Sequence, residues 1–204
     1  MNAKEQLYHK WVSSNLIHDE KLLNAFMKIK REHFIDAEYL DHCYADKPLP
    51  IGMQQTISQP TTVMIMLQLL ELNKEDKLLE IGTGSGYNVA IAASIVKKAY
   101  SVERITQLVH LSRANLKLAT IDNVEVIDSD GKKGYLPASP YSKIIVTAAA
   151  EEIPAVLLDQ LSANGILVSP VGLPGNCTMV KIYKDCYQQI HKTTHGFFSF
   201  VPLR

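Results

Sequence analysis

The stretch Leu79-Glu80-Ile81-Gly82-Thr83-Gly84-Ser85-Gly86 decides the fold of this chain. A short apolar strand, Lys77–Ile81, runs into glycines at alternate positions, and a helix rich in Ala, Val and Ile follows from Asn88 to about Val96. Such glycines let the backbone turn tightly and let a ligand lie against it without meeting a Cβ atom. The pattern predicts a parallel α/β unit with a ligand site at its strand-to-helix turn.

The alternation of strand and helix continues on the C-terminal side of this turn. Four further strands and two helices are expected, at Ala99–Glu103, Val124–Ile127, Lys143–Thr147 and Gly165–Pro170, and at Ile105–Leu118 and Pro154–Leu161. This alternation is typical of a doubly wound, mostly parallel sheet in a three-layer α/β/α sandwich. After Cys177 the expected strands follow one another directly, which predicts antiparallel pairing, at Met179–Tyr183, Gln188–Lys192 and Phe198–Pro202.

The N-terminal quarter of the chain differs from this core. Two helices, Ala3–Ser14 and Asp19–Lys30, are expected to form a cap, and the prolines and glycine of Asp46–Pro60 exclude a regular helix there. An apolar helix is expected from Thr61 to about Leu72. We therefore expect one domain, with N-terminal helices and a covering loop (1–60), a ligand-binding core (61–175) and C-terminal strands (176–204).

Composition and charge restrict the class of protein. Lys plus Arg and Asp plus Glu number 21 each, so the formal net charge is zero, whereas proteins that bind nucleic acid usually carry a basic excess. The odd cysteine count (Cys43, Cys177, Cys186) without a CxxC pair predicts reduced thiols, and no apolar run has membrane-spanning length. We expect a cytoplasmic protein with no nucleic-acid or membrane partner, and favour a monomer.

Carboxylates close to the glycine turn indicate which cofactor binds there. Glu103 lies 21 residues after Gly82, where an acid can accept hydrogen bonds from ribose hydroxyls, and Asp130 follows the next strand, within expected reach of an adenine amino group. A dinucleotide site would need a glycine at Tyr87, and Glu80 would repel its pyrophosphate. The sulfonium and ammonium of S-adenosyl-L-methionine suit an acidic pocket. The alternative is a tight turn with no ligand.

The proline-rich loop supplies a resemblance to a known family. Tyr44-Ala45-Asp46-Lys47-Pro48-Leu49-Pro50-Ile51-Gly52, followed by Gln55-Thr56-Ile57-Ser58-Gln59-Pro60, resembles the signature loop of protein-L-isoaspartate O-methyltransferases. Further segments resemble the family in the same order along the chain: Lys30–Phe34, Leu79–Gly86, Ile144–Ala150 with Ile153-Pro154, Gly165–Gly172 and Phe200–Leu203.

The resemblance implies a class I S-adenosylmethionine-dependent methyltransferase fold and a protein-repair activity. A methyl group would pass from S-adenosyl-L-methionine to the free carboxylate of L-isoaspartyl, and possibly D-aspartyl, residues in damaged proteins and peptides, leaving S-adenosyl-L-homocysteine. The resulting ester would collapse to a succinimide. The implied acceptor-site residues are Ser58, with Thr56, Ile57, Val201 and Pro202. The implied cofactor-site residues are Gln55, Glu80, Gly82, Gly84, Gly86, Glu103, Asp130 and Gly131.

Ser58 has two interpretations. An acceptor carboxylate is already ionised at neutral pH, so the reaction needs alignment and exclusion of water rather than a general base. A hydroxyl that fixes the idle carboxylate oxygen would serve this purpose. The alternative is a helix cap, with Thr61 and Thr62 as competitors for that position.

Several departures and alternatives accompany this assignment. Ser129 stands where the family often has glycine. Ser199 stands where many members have a larger residue, and the chain ends at Arg204 directly after the last matching segment. The last two departures leave the strength of substrate binding and the peptide preference undetermined. His191 with His195, or Asp128 with Asp130, have the spacing of a metal pair, but solvated surface positions are favoured and no metal is expected.

Other functions remain to be weighed against repair. One is a relative that esterifies a genuine aspartate in a peptide natural product, and another is a non-catalytic cofactor-binding module. The intact Thr56-Ile57-Ser58 loop disfavours the non-catalytic module. A nucleic-acid methyltransferase is disfavoured because Thr147-Ala148-Ala149-Ala150 stands where an Asn/Asp-Pro-Pro-aromatic motif would be expected.

Overall fold

The structure, a computed structural model, describes residues 1–203. Two short strands pair as a hairpin, and seven others form one sheet in the order β5-β4-β3-β6-β7-β8-β9. The strands are β1 Leu49–Pro50, β2 Thr56–Ile57, β3 Lys77–Ile81, β4 Lys98–Glu103, β5 Val124–Asp128, β6 Tyr141–Val146, β7 Leu161–Leu173, β8 Asn176–Lys184 and β9 Ile190–Phe198. The helices are α1 Ala3–Ser13, α2 Glu20–Lys28, α3 Pro60–Leu70, α4 Tyr87–Ala93, α5 Thr106–Leu118 and α6 Ala155–Gln160.

The sheet is parallel from β5 through β7, and β8 and β9 join it antiparallel. Helices cover both faces, as the sequence predicts, but unequally. A large apolar cluster containing Trp11, Phe26 and Leu108 joins helices α1 to α5 to one face. On the other face, Leu79 of the sheet packs in one cluster with Leu157 of α6 and with residues of the short 3-10 turns. Central strands buried on both faces explain the near-continuous apolar runs in the sequence.

The order of the strands places a crevice beside the glycine turn. From β3 the chain passes to β4 and β5 on one side, and then returns to β6 on the other side of β3. The carboxyl ends of β3 and β6 therefore diverge into helices on different sides, which is where open α/β sheets bind ligands. Register pairs Ile81 with Val146, so Gly82 and Thr147 follow at the same height.

The C-terminal segment differs from the sequence prediction. Phe198–Pro202 is not a separate strand, because β9 is continuous from Ile190 to Phe198 and then leaves the sheet. The segment after Phe198 crosses the end of β6, where Ala149 N donates to Val201 O (2.8 Å) and Pro202 bridges to Ala149. Arg204 lies outside the described residues.

The N-terminal quarter contains more local structure than its composition predicts. The loop before α3 holds the β1–β2 hairpin, and 3-10 turns at Arg31–Phe34 and Ala37–His42 follow α2. These turns were not predicted, because 3-10 turns are short and show no helical repeat in the sequence. Within residues 1–203, no helix is long and apolar enough to cross a membrane.

Asp46 anchors the loop to the start of α3. Its Oδ1 accepts from Thr61 N (3.1 Å), its Oδ2 accepts from Thr61 Oγ1 (2.7 Å), and Lys10 Nζ lies 3.2 Å from the same Oδ2. Burial acts to raise the pKa of the Asp46 carboxyl, but the hydrogen bonds from the Thr61 side chain and backbone lower it overall. The cap of α3 is therefore Asp46, and neither Ser58 nor Gln59 donates or accepts a side-chain cap bond.

We predict that Asp46→Ala lowers the free energy of unfolding by about 1–2 kcal/mol at pH 7, the usual effect of removing a helix cap. Because the pKa of Asp46 is lowered by folding, its contribution is present above the pKa of an unfolded aspartate and is lost as pH falls through the folded value. Urea unfolding at several pH values between 7 and 3.5 measures this. A difference between wild type and variant that grows towards low pH would contradict it.

Candidate active site

The crevice begins where the glycine turn touches the residue after β6. Thr147 Oγ1 lies within hydrogen-bonding distance of two carbonyl oxygens, Ile81 O (3.0 Å) and Gly82 O (2.6 Å), and can donate its proton to either of them. Gly82 has a φ of +94°, and a Cβ there would lie 2.6 Å from Thr147 Oγ1. Only glycine combines this backbone conformation with this close approach. The contact fixes the turn against the neighbouring strand and keeps the floor of the crevice free of side chains.

Glu103, at the end of β4, organises the rim of the turn. Its Oε2 accepts from Gly84 N (3.0 Å), and its Oε1 accepts from Arg104 N and Ile105 N (2.9 and 3.0 Å). The carboxylate is thus held in one orientation by three backbone donors and is 7% exposed. Gly86 ends the turn as the N-cap of α4. The predicted residues Gly82, Gly84 and Glu103 are brought together here.

Glu80 lies behind the turn rather than in the crevice. It is fully buried, its Oε1 accepts from Asn88 Nδ2 (2.7 Å), and its Oε2 accepts from Ser101 Oγ. Ser101 Oγ also lies 2.6 Å from Thr83 Oγ1. Burial raises the pKa of the Glu80 carboxyl to about 7, against the opposing effect of these hydrogen bonds. The acid therefore supports the turn from below, through Asn88 and Thr83.

Asp130 and Gly131 follow β5 and have different surroundings. Asp130 Oδ1 accepts from Lys132 N (3.0 Å), which caps a 3-10 turn, and this side chain does not line the crevice. Gly131 does line it, and a Cβ there would lie 2.4 Å from Ile81 Cγ2. The backbone after β5 thus packs directly against β3, for which a glycine is required.

Two adjoining cavities make up the crevice, and both are lined by Gln55, Gly82, Glu103 and Ala148. The first cavity extends to Ser58, Tyr87, Asn88, Thr147 and Val201, and the second to Ile105, Gly131, Pro202 and Leu203. Glu103 is the only carboxylate of the first cavity, and none of its described lining residues is Lys, Arg or His. Its chemistry therefore favours a cationic ligand over an anionic one.

Asn88 adds a feature that the sequence analysis missed. Its Oδ1 is buried without a hydrogen-bond partner among the described residues, although Asn88 lines the first cavity. A buried acceptor without a partner is unfavourable, so this oxygen calls for a donor from a bound molecule. Its position one residue into α4 gave no signal in the sequence, because Asn is ordinary near a helix start. Tyr87, the preceding residue, is buried and also lines the first cavity.

Ser58 lies where the first cavity opens into a surface groove. Its carbonyl accepts from Arg31 Nη2 (2.9 Å), whereas its hydroxyl makes no hydrogen bond within residues 1–203. The groove is free of charged side chains, and its lining residues are Pro48, Thr56, Ser58, Gln59, Thr61, Thr62, Ile65, Thr147, Phe197, Phe198, Ser199, Phe200 and Val201. A ligand in the first cavity and one in the groove would therefore meet at Ser58.

The sequence profile of one family matches residues 2–204, and its description is protein-L-isoaspartate(D-aspartate) O-methyltransferase (PCMT). The chain belongs to this family. A protein-L-isoaspartate O-methyltransferase of Pyrococcus horikoshii is 42% identical over 212 residues, covering 100% of this chain and 96% of that protein. A second, from Archaeoglobus fulgidus, is 46% identical over 187 residues, covering 90% and 85%. The resemblance stated from the sequence is confirmed.

Solved structures of the family confirm the fold. A Plasmodium falciparum protein assigned to this enzyme type, solved with S-adenosyl-L-homocysteine, superposes with a TM-score of 0.85 at 24% identity, over 100% of this chain and 99% of that one. A further structure described as a protein-L-isoaspartate O-methyltransferase gives a TM-score of 0.86 at 26% identity, over 98% and 65%. The mostly parallel sheet with antiparallel C-terminal strands is thus the methyltransferase fold predicted.

We predict that Glu80→Gln flattens the pH dependence of stability in this family member. Folding raises the pKa of Glu80 from 4.5 to about 7, so stability is fully present below the unfolded value and falls as pH rises towards 7. Over that window wild type loses at most roughly 3 kcal/mol through this group, and the variant loses none of it. Urea unfolding of both proteins between pH 4.5 and 8 measures this difference. If the free energies of unfolding of wild type and variant change in parallel with pH, the raised pKa of Glu80 is contradicted.

Proposed function

We propose that this protein methylates the free carboxylate of L-isoaspartyl residues, and also D-aspartyl residues, in damaged proteins, with S-adenosyl-L-methionine as donor. Family membership over the whole matched length supports the reaction. The observation that carries the proposal for this chain is Ser58, whose unpartnered hydroxyl lies between an acidic, cation-compatible cavity and an uncharged groove. The ester formed would close to a succinimide, whose hydrolysis starts repair.

The residues of the first two cavities fit the methyl donor. When bound, S-adenosyl-L-methionine supplies a methyl group on a sulfonium, and S-adenosyl-L-homocysteine is the product. The carboxylate of Glu103 and the unpartnered Oδ1 of Asn88 are acceptors suited to hydroxyl and ammonium donors. Gly82, Gly84 and Gly131 let the backbone lie close to the ligand.

We assign the remaining predicted residues by their positions. Gln55 lines both cavities, so it would cover the donor at their junction. Glu80 would act indirectly, because it holds Asn88 and does not reach the cavity. Asp130 would also act indirectly, because it shapes the turn that places Gly131 beside the ligand. Gly86 would act indirectly as well, because α4 starts from it.

The acceptor would bind at the junction of cavity and groove. Its carboxylate is ionised near pH 7, so no side chain needs to remove a proton. The Ser58 hydroxyl would donate to the oxygen that does not attack, which orients the attacking oxygen towards the methyl group. Thr56, Ile57 and Val201 surround the same position and restrict water. Pro202 lines the neighbouring cavity, so its proposed contact with substrate is the most peripheral.

The compartment and assembly follow from fewer observations. We propose the cytoplasm, because Cys43, Cys177 and Cys186 are all free thiols, as expected under reducing conditions. We also propose that the protein acts on proteins and peptides rather than nucleic acid, because its net charge is zero and the groove beside Ser58 lacks cationic side chains. That it acts as a monomer stays a prediction.

The test is transfer of labelled methyl from S-adenosyl-L-methionine to two peptides that differ only in isoaspartate versus aspartate. We expect base-labile label on the isoaspartyl peptide alone. Ser58→Ala should lower kcat by roughly 10- to 100-fold, the usual effect of removing a hydrogen bond to a charged group. Binding of S-adenosyl-L-homocysteine, measured by calorimetry, should stay within about threefold because the hydroxyl faces the acceptor.

Each other outcome is informative. Label on the aspartyl peptide would favour the relative that esterifies a genuine aspartate. Label on neither peptide, with donor product still bound, would contradict the proposed function and favour the non-catalytic module. An unchanged kcat in Ser58→Ala would contradict the orienting role alone.

The groove predicts a separable effect on peptide binding. Phe197 is 81% exposed at the groove wall, so Phe197→Ala removes apolar contact area for a peptide without removing core packing. We expect KM for the isoaspartyl peptide to rise several-fold, with kcat and the melting temperature unchanged. Tyr187→Ala is the matched control, since Tyr187 is 82% exposed and lies outside the groove. Equal KM values for the two variants would show that the peptide does not touch Phe197.

A further inference from the structure

Arg31 is a buried cation without an acidic partner. It begins the 3-10 turn after α2, its side chain is 0% exposed, and no carboxylate within residues 1–203 forms a salt bridge with it. Its Nε donates to Cys43 O (2.8 Å) and its Nη2 donates to Ser58 O (2.9 Å), while Nη1 has no hydrogen-bond partner. Burying a charge without a counterion is unfavourable, so fold stability alone does not account for arginine here.

The guanidinium also lies against the wall of the first cavity. Its central carbon is 4.8 Å from the centroid of the Tyr87 ring, and Phe34 packs on the same ring at 5.5 Å. Tyr87 starts α4 directly after the glycine turn and lines the first cavity. Arg31 therefore connects the N-terminal segment, the loop that carries Ser58 and the helix that follows the glycine turn.

The contact with Ser58 fixes more than one carbonyl. The Ser58–Gln59 peptide is trans and planar, so its N–H points opposite to the carbonyl that Arg31 holds. Gln59 lines the groove and Ser58 lines both groove and cavity. Because this one peptide unit is held, the direction of the Ser58 backbone and the direction of the Gln59 N–H are both fixed. Arginine suits the task because its planar, rigid fork holds the two carbonyls in one fixed geometry, whereas the ammonium of a lysine is a point charge on a flexible stem.

We propose that Arg31 is a positioning residue for methyl transfer, which acts by locking the Ser58–Gln59 peptide in the orientation that presents the Ser58 hydroxyl to the acceptor carboxylate. This inference rests on the proposed function. Arg31 touches neither cavity, so it acts through Ser58 and Tyr87 rather than on the reacting atoms. Its uncompensated positive charge, close behind the loop, also favours an anionic acceptor over a neutral one.

The test compares Arg31→Lys and Arg31→Met with wild type. We expect kcat for the isoaspartyl peptide to fall at least tenfold in both variants, with the smaller loss in Arg31→Lys because the charge remains. The dissociation constant of S-adenosyl-L-homocysteine should change less than threefold. Hydrogen exchange, followed by mass spectrometry, should quicken in the peptide that contains Ser58 and Gln59, a change that a purely stabilising residue would not confine to this loop.

Lys143→Met is the matched control, because Lys143 is also a buried cation (6% exposed) but lies in β6 away from both cavities. At equal loss of melting temperature, the control should keep wild-type kcat. A wild-type kcat in either Arg31 variant, a matching loss in Lys143→Met, or failure of both Arg31 variants to fold would overturn the positioning role. An inactive wild type would instead contradict the proposed function, so the two failures are distinguishable.

Discussion

The close contact between Gly82 and Thr147 is the constraint on which the rest of the site depends. Strands β3 and β6 are neighbours in space but are separated along the chain by two strands and two helices, and their ends are joined here by the Thr147 hydroxyl. Because a Cβ at Gly82 would collide with that hydroxyl, the turn must be glycine and the crevice stays open. The cavities, the Glu103 rim and the junction at Ser58 are all built around this fixed point.

Charged groups around the site are arranged by burial as much as by pairing. Glu80 is buried with neutral partners, Arg31 is buried with two carbonyls, and Glu103 is held by three backbone N–H groups. None of these has a salt-bridge partner among the described residues, so the site keeps strong local fields at some expense in stability. Preorganised dipoles and charges of this kind need little rearrangement during a reaction.

The loop before α3 shows how far sequence patterns extend. Its prolines and glycine excluded a helix correctly, whereas the acceptor-site role of Ser58, which its likeness to the family implies, stays a prediction. The pattern could not show that Asp46 rather than Ser58 caps α3, because Asp46 reaches Thr61 only after the chain has turned through the β1–β2 hairpin. The expected strand at Phe198–Pro202 was wrong for a related reason, since an apolar run looks the same whether it pairs in a sheet or crosses the end of one strand.

The sequence by itself determined the alternation of strands and helices, the glycine turn, the acid at the end of β4 and the family, because these depend on local periodicity and on residues adjacent in the chain. Only the tertiary structure decided that Glu80 supports the turn from below, that Asn88 presents an unpartnered oxygen, and that Arg31 holds Ser58. Such relations join residues far apart in sequence through burial and hydrogen-bond geometry. Neither quantity exists until the sheet has formed and the chain has returned from β5 to β6.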